Sequence, residues 1–288
     1  MPKITIGVPI YNSSSLLAEC LECLVNQTFR DIEILVFDNA STDESADIVR
    51  RFAERDPRIT YHRQPENVGP MRNFYDVLNA CTSPYFCWRA YDDLSSLDYL
   101  EHLHAALEAH PEAELAIGRI ATSINGAEPV FSHEIPSLTG DALTDIRRQL
   151  KRSNGAATYG LWRTEAVKPL FHEVFTQYKM AWASDHLLIF PVLIRRSFVI
   201  ASEVTFIARD YQTAVRWYSR PSLVEMKQLR TIYYRIALRY INALDLPWHQ
   251  RLLVKYYAWL SMGKTIFMFR RVVMHTLRGP LYQLLGKR

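Results

Sequence analysis

The chain has 288 residues, 49% hydrophobic and 22% charged, which suits a globular protein of one large α/β domain or two smaller ones and excludes fibrous and disordered classes. No stretch approaches the ~20 uninterrupted apolar residues that span a bilayer, and the amino terminus enters a strand pattern at Lys3-Ile4-Thr5-Ile6 without a signal-peptide layout, so a cytoplasmic protein is expected. The formal charge of +4 hides an asymmetry: residues 1–222 hold 22 Lys/Arg against 28 Asp/Glu, whereas residues 223–288 hold 12 against 2, which points to an acidic partner for the second part.

Strand and helix patterns alternate through the first part: a strand at Ile4 to Pro9, a helix from Ser15 to Gln27, a strand at Ile32 to Phe37, a helix from Glu44 to Arg55 and a strand at Ile59 to Arg63. A helix from Met71 to Ala80 follows, then an apolar run from Tyr85 to Tyr91 that ends at Asp92-Asp93, then a helix from Leu97 to Ala109. Such alternation predicts βαβ units, a mostly parallel sheet with helices on both faces, and ligand loops at the carboxyl ends of the strands. Asn125-Gly126 predicts a hairpin turn. A second chemical segment runs from Gly155 to Asp210, and beyond Pro221 the pattern is helical, broken at Pro247 and at Gly279-Pro280.

Asp92-Asp93 is the most informative local feature. Two adjacent carboxylates repel unless solvated or neutralised, and a hard divalent cation neutralises them well. Helix capping by Asp93 or Ser95 is the alternative reading. The strand ends at Pro9 and Asp38 lack the glycines of a dinucleotide-binding turn or a phosphate loop, which excludes those two enzyme classes. Asp38 can accept from a ring N–H, from ribose hydroxyls or from local amides, and Ser41 and Thr42 can cap the following helix. Cys20, Cys23, Cys81 and Cys87 include one Cys-x-x-Cys pair with no second pair or histidine pair to complete a zinc site, so all four are read as reduced.

Taken in order, Val8-Pro9-Ile10-Tyr11-Asn12, Asp38-Asn39-Ala40-Ser41-Thr42-Asp43, Asn67-Val68-Gly69-Pro70-Met71-Arg72-Asn73 and Asp92-Asp93 closely resemble the family 2 glycosyltransferases of the GT-A fold. The likeness is sharpest over residues 3 to 110 and continues through Tyr159-Gly160-Leu161-Trp162-Arg163 and Asp185 to Tyr211. It implies a nucleotide-sugar donor, UDP-linked by preference, with Pro9, Tyr11 and Asn12 at the base pocket, Asp38 on the base and Arg72 near the nucleotide. Asp92 and Asp93 would hold the ribose and a Mn²⁺ or Mg²⁺ on the diphosphate, with Asp93 preferred as the direct ligand. Ala90 stands where a further acid is common in the family, and Ser184 where an acid often precedes the base.

Breaking the anomeric carbon to diphosphate bond leaves negative charge on the departing oxygen, which a divalent cation stabilises. The same resemblance makes Asp185 the base that takes the acceptor's proton, with inversion at the anomeric carbon. His186 and a helix-capping role for Asp185 are the alternatives weighed at that position. Trp162 and Trp182 are candidates for stacking on sugar faces, with packing in the core as the alternative for both, and Arg209 and Arg216 are candidates for clamping a diphosphate. The expected organisation is a GT-A domain over residues 1–220, divided into a nucleotide-sugar half at 1–110 and an acceptor and base half at 111–220. A basic amphipathic helical region follows at 221–288. Its apolar and aromatic residues, including Leu252, Tyr256 and Trp259, interspersed with Lys255 and other cations, predict contact with an anionic membrane surface over 223–288, the alternative being helices packed on the catalytic domain with a solvated basic face. No recognised nucleic-acid module accompanies that basic face. The acceptor expected is a glycan or a lipid-linked sugar.

Overall fold

Strand β1 (Ile4–Ile10) is buried along its whole length, as its near-continuous apolar sequence requires of the central strand of a parallel sheet covered on both faces. In this computed structural model, which describes residues 1–131, 135–211 and 221–263, β1 pairs in parallel with β2 (Ile32–Asp38) and with β4 (Tyr85–Trp88), and β2 pairs in parallel with β3 (Ile59–Arg63). Helices α1 (Leu17–Val25), α2 (Ser45–Ala53) and α3 (Pro70–Ala80) make the crossovers, each within one or two residues of its predicted ends. Alternation divides the strand residues between two cores. Ile4, Ile6, Val8, Ile34, Val36 and Cys87 pack with α1, α2 and α4 (Tyr99–Ala109), whereas Leu35, Phe37, Phe86 and Trp88 face the opposite core.

The second half extends the same sheet with mixed direction. Strand β8 (Leu161–Arg163) runs antiparallel to both β4 and β6 (Leu115–Ile124), β6 runs parallel to β9 (Phe198–Asp210), and β5 (Leu94–Ser95) closes the far edge against β9. The order is β3-β2-β1-β4-β8-β6-β9-β5, with β7 (Val130–Phe131) paired to β6. Asn125 (φ 52°) and Gly126 (φ 77°) form the expected turn between β6 and β7, both left-handed as a type I′ hairpin turn demands.

Helices α5 (Ala142–Arg152), α6 (Thr164–Glu173) and α7 (Ser184–Arg195) cover the second core. Two carboxyl-terminal helices, α8 (Leu223–Asn242) and α9 (Trp248–Ser261), pack onto it as well: Leu229, Tyr233 and Ile236 of α8 and Val254 and Ala258 of α9 share one hydrophobic cluster with Trp88 and Trp162. The rest of the basic region, residues 264–288, lies outside the described residues, as does Arg216. No helix among the described residues is long and apolar enough to cross a membrane. The four cysteines are free thiols, Cys20, Cys81 and Cys87 buried in the cores.

The apolar run ending at Asp92-Asp93 leaves the sheet earlier than predicted. Arg89 N–H makes the last bond to β1, on the Gly7 carbonyl at 2.9 Å, and Asp93 N–H closes a turn on the Ala90 carbonyl at 3.2 Å. The turn is pinned to the end of β9. Arg209 N–H donates to Asp93 Oδ1 at 2.9 Å, and the Arg209 guanidinium bonds the Asp92 carbonyl and the Glu19 carboxylate. Asp93 therefore does not cap α4, whose N-cap Asp98 makes no side-chain capping bond. Behind the turn, fully buried Arg89 donates to Ser95 Oγ at 3.0 Å and lies over the Tyr99 and Phe206 rings, 5.6 and 5.1 Å from their centroids.

Burial, reinforced by the neighbouring Asp92 charge, pushes the Asp93 carboxyl up to about 8. The folded protein then holds a proton that the unfolded chain releases near 3.8, so stability falls as pH rises between those values. Asp93→Asn keeps an acceptor oxygen for Arg209 N–H and is expected to flatten that fall, measured as urea midpoints across pH in EDTA. Ala40 occupies the left-handed region (φ 60°) in the loop after β2, a conformation disfavoured for any residue with a β-carbon. Ala40→Gly is expected to stabilise the protein by roughly 0.5–1 kcal/mol, seen as a higher urea midpoint at unchanged slope.

Candidate active site

The loops that follow β1 and β2 are laced together. Asn12 N–H donates to Ser41 Oγ (2.9 Å), Ser13 N–H to Ser45 Oγ (2.7 Å) and Ser14 N–H to Asp43 Oδ2 (3.0 Å), while Asn12 Oδ1 accepts from Thr42 N–H (2.8 Å). Ser41 and Thr42, expected to cap α2, instead tie one loop to the other. Asp38 lies beneath them, wholly buried, with Oδ1 accepting from Ser41 N–H at 2.8 Å and Oδ2 from the Tyr61 hydroxyl at 2.6 Å. Burial and the adjacent Asp38 charge push the Tyr61 phenol up to about 12, which keeps it a donor.

Asn39 reaches the third loop. Its amide nitrogen donates to Asn67 Oδ1 (2.9 Å) and its oxygen accepts from Val68 N–H (2.8 Å). Gly69, at φ 83°, then turns the chain so that Pro70 opens α3 at a position where its missing N–H costs nothing. One turn into the helix, Asn73 donates to the Phe37 carbonyl at 2.8 Å, and its buried Oδ1 has no hydrogen-bond partner.

These loops form one wall of a cleft of about 360 Å³, with Pro9, Asn39 and Asn73 on its surface. Asp92 lines it from the acidic turn and Asp185 from the start of α7. Burial raises the Asp92 pKa; Arg209 opposes that rise and Asp210 adds to it. Asp185 follows Ala183, which turns the chain in the left-handed region (φ 60°) and occupies the N-cap position itself. Asp185 Oδ1 accepts His186 N–H at 2.8 Å, and the carboxylate rests directly over Gly155, where an added β-carbon would fall 1.8 Å from Oδ2. Two tyrosines brace this segment: Tyr178 donates to the Trp182 carbonyl (2.7 Å) and Tyr233 of α8 to the His186 carbonyl (3.2 Å). The His186 ring is held through Nδ1 against Ser153 Oγ at 2.9 Å, a structural placement.

Of the described residues predicted for the site, Pro9, Asp92 and Asp185 share the cleft. Half-buried Tyr11 and exposed Asn12 stand in the laced loops, and Asp38 is below the surface that Asn39 presents. Arg72 points away, paired with Asp76 at 2.7 Å, and lines an adjoining open hollow together with Trp182. Trp162 cannot stack on a sugar: it is 0% exposed, and its Nε1–H holds the Thr158 carbonyl at 2.9 Å within the core. Arg209, whose side chain is almost wholly enclosed, anchors the acidic turn.

Asn39, Asn73 and Gly155 were not singled out from the sequence. The signal for Asn73 was its position one residue beyond Arg72, since consecutive helical residues face directions about 100° apart and only one of the two can look at the sheet. Among the described residues no group of three or more His, Cys, Asp or Glu side chains gathers as a metal cage. The donor set suits a hard cation that takes a carboxylate from Asp92 and its remaining oxygens from phosphate and water.

The family model described as Glycosyl transferase family 2 matches residues 5–171. The glycosyltransferase GlyA of Streptococcus pneumoniae is 36% identical over 133 residues, 46% of this chain and 19% of that protein. A GalNAc(5)-diNAcBac-PP-undecaprenol beta-1,3-glucosyltransferase of Campylobacter jejuni is 32% identical over 94 residues, 32% of this chain and 30% of that protein. Each match thus spans under a third of the relative's length. In three dimensions the chain is similar to S. aureus TarS 1-349, solved in complex with UDP-GlcNAc, with a TM-score of 0.72 over 91% of this chain and 73% of that one at 17% identity. The fold is therefore the GT-A arrangement, and with the family match running from β1 through most of α6, more than half of its length, the chain belongs to glycosyl transferase family 2.

Proposed function

We propose that the chain is an inverting glycosyltransferase that moves a sugar from a nucleotide-diphosphate donor, UDP-linked by preference, to a hydroxyl on a glycan or lipid-linked acceptor in cell-surface glycan synthesis. One observation carries this reading: Asp92 and Asp185, contributed by the two halves of the fold, open onto a single cleft whose wall includes Pro9 and Asn39. The UDP-GlcNAc bound by TarS and the undecaprenol-linked substrate named for the Campylobacter relative support the donor and acceptor classes.

In the proposed reaction the acceptor oxygen attacks the anomeric carbon from the face opposite the diphosphate and its proton passes to the Asp185 carboxylate. The carbon to oxygen bond of the donor breaks, and the electron pair leaves on the nucleoside diphosphate. A single displacement of this kind inverts the anomeric centre and needs no covalent intermediate. A bound Mn²⁺ or Mg²⁺, held through Asp92, would supply neutralisation of the departing diphosphate. Asn73 Oδ1, buried at the cleft without a partner, offers an acceptor for a donor hydroxyl or ring N–H. Asp38, already bonded to Tyr61 and Ser41, fixes the loop that presents Asn39 to the base.

Calorimetric titration with UDP- and GDP-sugars, with and without Mn²⁺, is expected to show binding that the cation strengthens; no heat with any donor would overturn the reading. Asp185→Asn is expected to leave donor binding intact while transfer drops by about 10²–10⁴-fold, and transfer at the wild-type rate would remove Asp185 from the mechanism. Gly155→Ala places a methyl group where the Asp185 carboxylate lies. Its expected effect is a fall in kcat of about 10²-fold at unchanged donor affinity, through displacement of the base, read by steady-state kinetics beside the same titration.

A further inference from the structure

Among the described residues, helix α9 carries an apolar face that is exposed. Val254, Ala258 and Ser261 are buried against the body, while Trp248 (68% exposed), Leu252 (52%), Tyr256 (54%) and Trp259 (49%) recur every three or four residues along the outer side, with Leu253 beside them. Single exposed apolar residues are ordinary; a contiguous stripe with two tryptophans and a tyrosine on one helix marks a contact surface.

The charges around the stripe are of one sign. Helix α9 holds Arg251 and Lys255 and no acid. On one side α5 presents exposed Arg147, Arg148, Lys151 and Arg152, with Arg147 lying over the Tyr257 ring at 5.7 Å. On the other, Arg230 of α8 lies over the Trp259 ring at 5.5 Å, and Lys227 stands one turn before it. The acid of α5, Asp145, is buried and bonded to Thr139, and that of α8, Glu225, is spent on the helix cap with Ser222. Among the described residues, exposed Asp141, the N-cap of α5 bonded to Thr144 N–H, and exposed Asp245, between α8 and α9, are the other acids of this region.

We infer that the α9 stripe and its flanking cations seat the protein on an anionic lipid surface. Tryptophan and tyrosine favour the boundary between headgroups and acyl chains, leucines enter below it, and the cations of α5 and α8 meet the lipid phosphates. The charge pattern selects this occupant over a second copy, because two such faces brought together would oppose their own cations. The flanking cations lie on α5 and α8, which pack against α7, the carrier of Asp185, and α9 packs on both of them. The docking stands without the transfer reading, and its test does not pass through activity.

The full chain is expected to float with equimolar phosphatidylglycerol and phosphatidylcholine vesicles, to ignore pure phosphatidylcholine, and to shift its tryptophan emission to the blue on binding. Trp248→Ser combined with Tyr256→Ser should lower partitioning at least about tenfold with an unchanged circular dichroism spectrum. Arg148→Glu combined with Lys151→Glu should lower it and reduce its salt sensitivity. Three outcomes overturn the inference: no flotation of the wild type, flotation unaffected by both pairs of substitutions, or a concentration-dependent dimer that Trp248→Ser with Tyr256→Ser dissolves. A lowered melting temperature of that pair with flotation unchanged would also overturn it, because the stripe would then be covered by the chain itself.

Discussion

Two adjacent carboxylates have been taken out of water at the turn after β4, and the rest of the site is arranged around that unfavourable fact. Asp93 is enclosed, Asp92 opens on the cleft, and the charge of Asp92 makes Asp93 harder still to ionise. What holds them is cationic, one arginine from just before the turn and one from far away in the chain. Arg89 sits behind the turn with aromatic rings around it, and Arg209 reaches from the end of β9 to bond the backbone and carboxylate of the pair. The sheet is thereby closed through its active end: β5 and β9 cannot separate without releasing a buried charge.

The two halves of the protein meet where strand directions change. Parallel strands β1 to β4 deliver the nucleotide-side loops, and β8, antiparallel to β4, brings its preceding segment against the start of α7. Gly155 lies in that segment, and the space that its hydrogen leaves is the space that the Asp185 carboxylate fills. Tyr178 and Tyr233 hold the carbonyls on either side of Asp185, so its position is set by the second core and by α8. Helix α8 is thus tied to the segment that carries Asp185 as well as to the second core.

The elements were legible because their patterns are strong. Period-two alternation in the strands, the helical spacing between them and the Asn125-Gly126 turn each depend on local rules that the fold did not override. The boundary after β4 was misread because composition continues apolar to Tyr91, while pairing with β1 ends at the backbone of Arg89. Asp92 and Asp185, which line one cleft, were singled out by the company they keep along the chain. Trp162 and Arg209 were not, because residue type alone does not say which way a side chain faces: the tryptophan turned inward to hold a carbonyl, and the arginine turned back to hold the acids. Arg72 and Asn73 show the same limit at finer scale, one helical step apart and facing different surroundings.

The lacing between the loops after β1 and β2 makes them a single piece of architecture despite their separation in sequence. Hydrogen bonds between Asn12, Ser13 and Ser14 on one side and Ser41, Thr42, Asp43 and Ser45 on the other mean that neither loop has a shape of its own. Under the proposed function, a change of nucleotide preference, whether through evolution or through grafting from a relative, would then require exchanging both loops together. Replacing one alone would leave the other folded around a partner that is no longer there.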